Sequence, residues 1–297
     1  MDHRLECLNW LSDDLTDLLS GERAFFLDAT NRLDRVSEQQ KLLWRAETVF
    51  QRRHRLSDEV YEAFDGVVQH GPFEGTKLTR SKWRGMPDFA SMLLGFYELE
   101  VLNLIVDILQ SGADYFVDIG AAEGYYPVGA VRSGLTPQAY AFESDSRGRS
   151  SIRENMSLNQ ITHAVQVLEE ANKESIDRIV SIERESSGLF LCDIAGGEFD
   201  LFTPELWATL KGHHVILEVH NWVPGFNDGY PQLLAGALPY FEIASIAPAP
   251  RPIWSMPELD GFTDDNRLLI CSEGRPNKMR FLYFRPKGGF EMTVRKS

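Results

Sequence analysis

Cysteine is scarce: the 297 residues hold Cys7, Cys192 and Cys271, widely spaced and never as C-x-x-C. That argues against a disulfide framework and against a cysteine-held zinc. Cys192, inside an apolar run, reads as a small core residue. Long apolar runs are lacking too; the longest fall well short of the ~20 residues that a membrane span needs. The opening MDHRLECLNW carries no apolar stretch behind a basic leader, so no signal peptide is expected and a cytoplasmic location is. Basic charge is in deficit, with 30 Lys and Arg against 44 Asp and Glu and a net charge of −14. A protein that neutralises many phosphates needs a basic surface, so duplex nucleic acid is not expected as a partner, while a small neutral or cationic ligand is compatible. What is present, 43% hydrophobic and 25% charged residues in 33.7 kDa, suits a globular chain that buries a full core without staples.

Residues 1–65 read as a helical region serving as lid, packing layer or dimerisation element. Leu5, Leu8, Leu11, Leu15, Leu18 and Leu19 recur at three- and four-residue steps, and a second stretch carries Leu33, Val36, Leu42, Leu43, Val49 and Phe50. The plain expectation is a packed helical layer. Residues 66–112 form a connecting lead-in, with Gly and Pro at turn spacing and then one helix over LLGFYELEVLNLIVDILQ that stops near Ser111 and Gly112.

Over 113–290 short apolar runs alternate with stretches of helical length: YFVDIG (115–120), AYAFE (139–143), AVQVL (164–168), GLFLCDI (188–194) and HVILEVH (214–220). Such alternation predicts βαβ units and a parallel sheet. FEIASIA and MRFLYFRP read as two later strands. Between them DDNRLLICSEG reads as a helix that starts at Asp264 or Asp265 and ends at Gly274. His213 and His214 look like surface or turn residues.

Four motifs carry chemistry. FVDIGAAEGYY (116–126) is a strand ending at Asp118, then Gly120 and Gly124 at a turn into a helix. Open α/β sheets bind ligands at such turns. The spacing is not the G-x-G-x-x-G of a dinucleotide site, and Asp118 and Glu123 disfavour a pyrophosphate. They suit a ligand with ammonium and sulfonium charge, which describes S-adenosylmethionine. In AFESD, Glu143 ends the second strand, where a carboxylate can accept from ribose hydroxyls. In LFLCDIAGGEFDLF, Asp193 ends the fourth strand and Glu198 opens the next helix. In VILEVHNWVPG, Glu218 and His220 are two apart on a strand and so point to one side. A histidine there can act as general base on a hydroxyl.

The series VDIGAAEGYY, AFE, DIAGGE and LEVH resembles the FkbM-like class I S-adenosylmethionine-dependent methyltransferases. LLGFYELE (93–100), GPFEG (71–75) and the tail SEGRPNKMRFLYFRP are similar to that family as well, so the resemblance covers roughly residues 70–287. It implies a Rossmann-like α/β sheet of seven strands with the last antiparallel. It implies S-adenosylmethionine held by Asp118, Gly120, Ala121, Ala122, Glu123, Gly124, Tyr125 and Tyr126, by Glu143 and Ser144, and by Asp193. It implies methyl transfer to a hydroxyl of a small molecule or glycan, with His220, Asp193, Glu218 and Glu198 as catalytic residues, and leaves a homo-oligomer open.

The chain departs from the family at four positions. The fourth-strand motif usually reads K-x-D-x-E-G-x-E, and here Leu191 and Ala195 replace the Lys and the first Glu. Asn221 stands where related members have Asp, and Ala122 where they often have Asn. From these losses no required metal is expected. They also motivate an alternative, a scaffold that binds the cofactor without catalysis. A nicotinamide-linked oxidoreductase is disfavoured by the glycine spacing, and an RNA methyltransferase by the acidic balance. Tyr97, Trp222 and Trp254 are further candidates for lining an acceptor pocket.

Overall fold

The computed structural model describes residues 15–17, 19, 20, 37–80, 83, 87–275 and 279–288. Along the chain run α1 (Glu38–Ala46), α2 (Val49–Phe64), α3 (Phe89–Leu93), α4 (Leu99–Gln110), β1 (Tyr115–Ile119), α5 (Tyr125–Arg132) and β2 (Ala139–Phe142). Then come α6 (Ser146–Leu158), β3 (Val165–Leu168), α7 (Lys173–Ile182), β4 (Gly188–Cys192), α8 (Glu198–Leu201), α9 (Pro204–Thr209) and β5 (His214–Val219). The last elements are α10 (Phe226–Ala237), β6 (Phe241–Ser245), α11 (Asp264–Ile270) and β7 (Arg280–Pro286). Two compact units divide them, one within Met1–Arg52 and Pro252–Leu269, the other within Arg53–Arg251 and Ile270–Ser297.

In the first unit Thr48 opens α2 with a capping box. Its hydroxyl accepts the Gln51 N–H at 3.2 Å, and the Gln51 side chain accepts the Thr48 N–H at 2.9 Å. Leu42, Leu43, Val49 and Phe50, expected in a packed layer, are exposed, as are Leu15 and Leu19. Leu5, Leu8, Leu11, Leu18, Leu33 and Val36 lie outside the described residues. The expected helix near 264 starts at Asp264, where the Thr263 hydroxyl accepts the Asn266 N–H at 3.4 Å. It stops at Ile270, short of Gly274, so the glycine is not its end.

In the second unit the seven strands form one sheet in the order β3-β2-β1-β4-β5-β7-β6. The first five pair in parallel, and β7 runs antiparallel to both β5 and β6. This is the seven-strand Rossmann-like arrangement expected, with its last strand reversed. β1 and β4 are buried at every position, as strands covered on both faces must be, hence their near-continuous apolar sequence. Under the β5 side, Trp207 is fully buried with its ring 4.7 Å from those of Phe202 and Phe284. Burying each such large side chain stabilises the fold by about 1.5–3 kcal/mol.

The expected single helix over 93–110 is two helices. Gly95 sits at φ +80°, where a Cβ would lie 1.9 Å from the His70 carbonyl oxygen, and Glu98 takes φ +45°. The backbone therefore turns between α3 and α4, and Glu98 falls at the entrance of α4. The two histidines expected at the surface or in a turn stand just before and at the start of β5. His213 is buried, its Nδ1 accepting the Gly188 N–H at 2.9 Å. His214 opens β5 and stacks on Tyr283.

Candidate active site

The turn after β1 is built by backbone conformations that its sequence permits. Gly120 adopts φ +99°, and a Cβ there would lie 1.9 Å from the carbonyl oxygen of Asp193. Only glycine lets the β1 and β4 ends approach so closely. Ala122 follows at φ +50°. Its N–H donates to Glu143 Oε2 at 2.9 Å, and Asp145 N–H donates to Oε1 at 2.7 Å. Glu143 at the end of β2 thus fixes the neighbouring turn, and each of its oxygens keeps a further acceptor direction. Gly124 turns at φ +87° into α5, where a Cβ would crowd Ile152 of α6; it serves packing.

A second group gathers at the ends of β4 and β5. Asp193 follows β4, and His220 follows β5. His220 Nε2 lies 3.3 Å from Asp193 Oδ1 and 3.4 Å from Glu218 Oε2. Its Nδ1 is 3.0 Å from Glu198 Oε1. Glu198, fully buried, also accepts the backbone N–H of His220 at 2.9 Å and of Gly196 at 2.8 Å. The imidazole is therefore held on both nitrogens. Burial alone would lower its pKa, but hydrogen bonds with Asp193, Glu198 and Glu218 prevail and push it up to about 11. The ring keeps its proton at neutral pH, which suits a donor rather than the general base expected. Burial pushes Glu218 up to about 7, with the Asp193 charge adding to it and His220 opposing it.

The four predicted catalytic residues are thus together, in one hydrogen-bonded cluster. Asp193, Glu218 and His220 each offer one donor atom within 4.8 Å of the others, a set that could hold a divalent cation in competition with the proton on the imidazole.

Two residues that sequence reading missed complete the cluster. Arg275 donates to Glu218 and to Glu98, and at 2.8 Å to Glu273. It supplies a cation although the family's lysine position is Leu191, a buried β4 residue. Glu98 also accepts the Tyr126 hydroxyl at 2.6 Å. Burial raises the Glu98 pKa strongly against the pull of Arg275. The pairing of Arg275 with Glu98 and Glu218 has no local signal, since these partners are distant in the chain.

Two cavities open at these strand ends. The first, a small cavity of about 80 Å³, is lined by Asp118, Gly120, Ala121, Ala122, Glu123, Tyr125, Tyr126 and Asp193, and also by Asp88, Tyr97 and Glu98. The second is a wider cleft lined by Gly120, Glu143, Ser144, Asn172 and Asp193. Gly120 and Asp193 belong to both. Gly124, Glu198, Glu218 and His220 line neither; of the cluster, Asp193 reaches both cavities and Glu98 the first. Asp118 is buried, and burial first, then Asp193, Glu143 and Glu123, raises its pKa strongly. Trp222 is exposed and sets its ring edge 5.1 Å from that of His220. Trp254, the other tryptophan singled out, belongs to the first unit and lies under Arg267 at 5.6 Å.

No family model matches the chain, and no curated protein does. Among solved structures it is similar to an rRNA methylase of Streptococcus thermophilus, at 11% identity and a TM-score of 0.42 over 63% of this chain and 96% of that one. It is similar to M. jannaschii TYW2 in complex with AdoMet, at 14% identity and 0.37 over 63% of this chain and 74% of that one. It is also similar to a Klebsiella pneumoniae protein assigned as an O-methyltransferase, at 14% identity and 0.40 over 81% of this chain and 90% of that one.

Proposed function

We propose that this chain binds S-adenosylmethionine and transfers its methyl group to a hydroxyl of a small molecule or glycan. The observation that carries the reading is the pair of cavities that share Gly120 and Asp193 in their linings. One is ringed by carboxylates and tyrosines and the other is bordered by Glu143 and Ser144.

The residues fit the cofactor in three respects. A Cβ at Gly120 would fill the junction. The Tyr125 hydroxyl is buried with no hydrogen-bond partner among the described residues. Five carboxylates and no Lys, Arg or His line the first cavity among the described residues, which favours a cationic occupant.

When bound, the cofactor supplies an electrophilic methyl carbon on a sulfonium sulfur. Glu143 and Ser144 would hold its ribose side, and Asp118 with the 120–123 backbone its amino acid side. Asp193 is the group placed to take the acceptor's proton. Asp193 would become neutral on taking that proton and could share it through its hydrogen bond with Glu218, whose pKa is raised to about 7. His220, kept protonated by three carboxylates, positions both. Arg275 and the imidazolium offset the carboxylates of the cluster, so the transfer is proposed to need no metal.

Calorimetric titration with S-adenosylmethionine tests the cofactor, and cofactor consumption across hydroxylated acceptors tests the reaction. Binding without consumption, over a broad acceptor panel, would favour the scaffold alternative.

A further inference from the structure

The charge on the first cavity has a sharper consequence than affinity alone. Its wall carries Asp88, Asp118, Glu123, Asp193 and Glu98. Beside them stand Glu198 and Glu218. Against these seven carboxyl groups the described residues set three cations, Arg53 at 2.9 Å from Asp88, Arg275 and the His220 imidazolium. None of the three lines the cavity.

Aromatic rings make up part of the rest, beside Pro87, Met92 and Leu191. Tyr97, Tyr125 and Tyr126 pack edge to face or tilted, with centroids 5.2–6.4 Å apart, and Phe281 closes one side. Faces of tyrosine attract cations, and the ring of Phe281 already lies under Arg275 at 5.6 Å. The Tyr125 oxygen, buried and without a partner among the described residues, offers an acceptor on the same wall. Acids and aromatic faces around one cavity recognise positive charge in two complementary ways, at long range and at contact.

We infer that this cavity discriminates by charge at the reacting centre, so that the chain binds the sulfonium cofactor more tightly than the neutral thioether left after transfer. The inference rests on the cofactor reading above. The transfer moves a methyl group from sulfur to the acceptor oxygen. The S–CH3 bond breaks with its electron pair kept by sulfur, the O–CH3 bond forms, and the acceptor's proton passes to Asp193. Sulfur thereby loses its positive charge inside a wall selected for cations. The product is expelled by the charge change itself, and accumulated thioether inhibits weakly.

Calorimetry on the full chain separates the possibilities. S-adenosylmethionine and an analogue with an amine in place of the sulfonium centre are each expected to bind at least about fivefold more tightly than S-adenosylhomocysteine. Asp193→Asn removes one charge from the wall and should shrink that ratio. Equal or tighter binding of S-adenosylhomocysteine overturns the inference while leaving the cofactor reading intact. A ratio that survives in Asp193→Asn, and again in Tyr97→Leu, overturns its assignment to this wall. Binding of none of the three by folded protein removes the cofactor reading itself, and the inference with it.

Discussion

Arg275, on the segment before β7, reaches Glu98 at the entrance of α4, 177 positions earlier in the chain. The same guanidinium bonds Glu218 on β5, and Glu273 bridges Arg275 to Arg251 at 2.8 Å on each side. The pair joins the lead-in helix to the reaction edge of the sheet. A buried carboxylate stripped of its cation is costly, more so than the pair itself is stabilising.

Arg275→Met should therefore destabilise the fold by about 3–5 kcal/mol, read from the denaturant midpoint. Adding Glu98→Gln to that variant should recover part of the loss. If the double variant is no more stable than the single one, Glu98 is not the group that Arg275 holds.

Gly120→Ala is expected to abolish cofactor binding and lower the melting temperature. The new Cβ meets the Asp193 carbonyl oxygen at 1.9 Å, and the φ of +99° adds strain of about 1–3 kcal/mol. Gly112→Ala is the control, with φ +119° but open space around the site. Equal effects from the two substitutions would mean that strain alone is at work and the close approach is unimportant.

His220→Asn should slow methyl transfer by about tenfold to a hundredfold, as loss of a positioning partner does, with cofactor affinity nearly unchanged. The rate–pH profile should also change, since Glu218, raised to about 7, loses the cation that opposes its shift. Its pKa then climbs, and the rising limb moves to higher pH. A rate loss with an unmoved profile would point to a purely structural histidine.

Acid should weaken the fold through His213. Burial first, and the neighbouring His214 second, lower its pKa from 6.5 to about 4. Tyr115 and Phe190 face the same ring. Between those two values the unfolded chain binds a proton that the folded one refuses. The stabilisation is complete above pH 6.5 and is lost as the pH falls towards 4, by about 3 kcal/mol. His213→Asn should flatten the unfolding free energy across this window; an unchanged slope would place the titrating group elsewhere.

Chelator treatment should leave the transfer rate within about twofold, and added Mg²⁺ or Mn²⁺ should not raise it. A clear rise on adding either ion would make Asp193, Glu218 and His220 its holders and displace the metal-free proposal.

Much of this was legible in the sequence, for local reasons. Continuous apolar runs such as GLFLC and VILEV mark strands buried on both faces, and Asp118, Glu143, Asp193 and Glu218 sit at or beside their ends because strand ends lie where the sheet opens. Gly120 was legible because a close backbone approach excludes a side chain. The break at Gly95 was not, because a helical pattern of leucines continues across it and the close pass of the His70 backbone, which only a glycine admits, comes from a segment more than twenty residues away. His213 was misread because a His-His pair looks polar, whereas the Gly188 N–H gives its ring a buried partner. Arg275 and Glu98 stayed hidden because nothing in either neighbourhood announces a partner so far away in the chain.

The insertion of β7 between β5 and β6 sets an order of assembly. β6 hydrogen-bonds to β7 and not to β5, so it has no place in the sheet until residues 280–286 have left the ribosome. A nascent chain that ends before them can pair β1 to β5 and form the glycine turn, yet it exposes the open side of β5. Such an intermediate presents an unpaired strand edge, the feature that makes late-closing sheets prone to association. Synthesis of the reversed strand closes that edge and anchors beside the site the segment that carries Arg275.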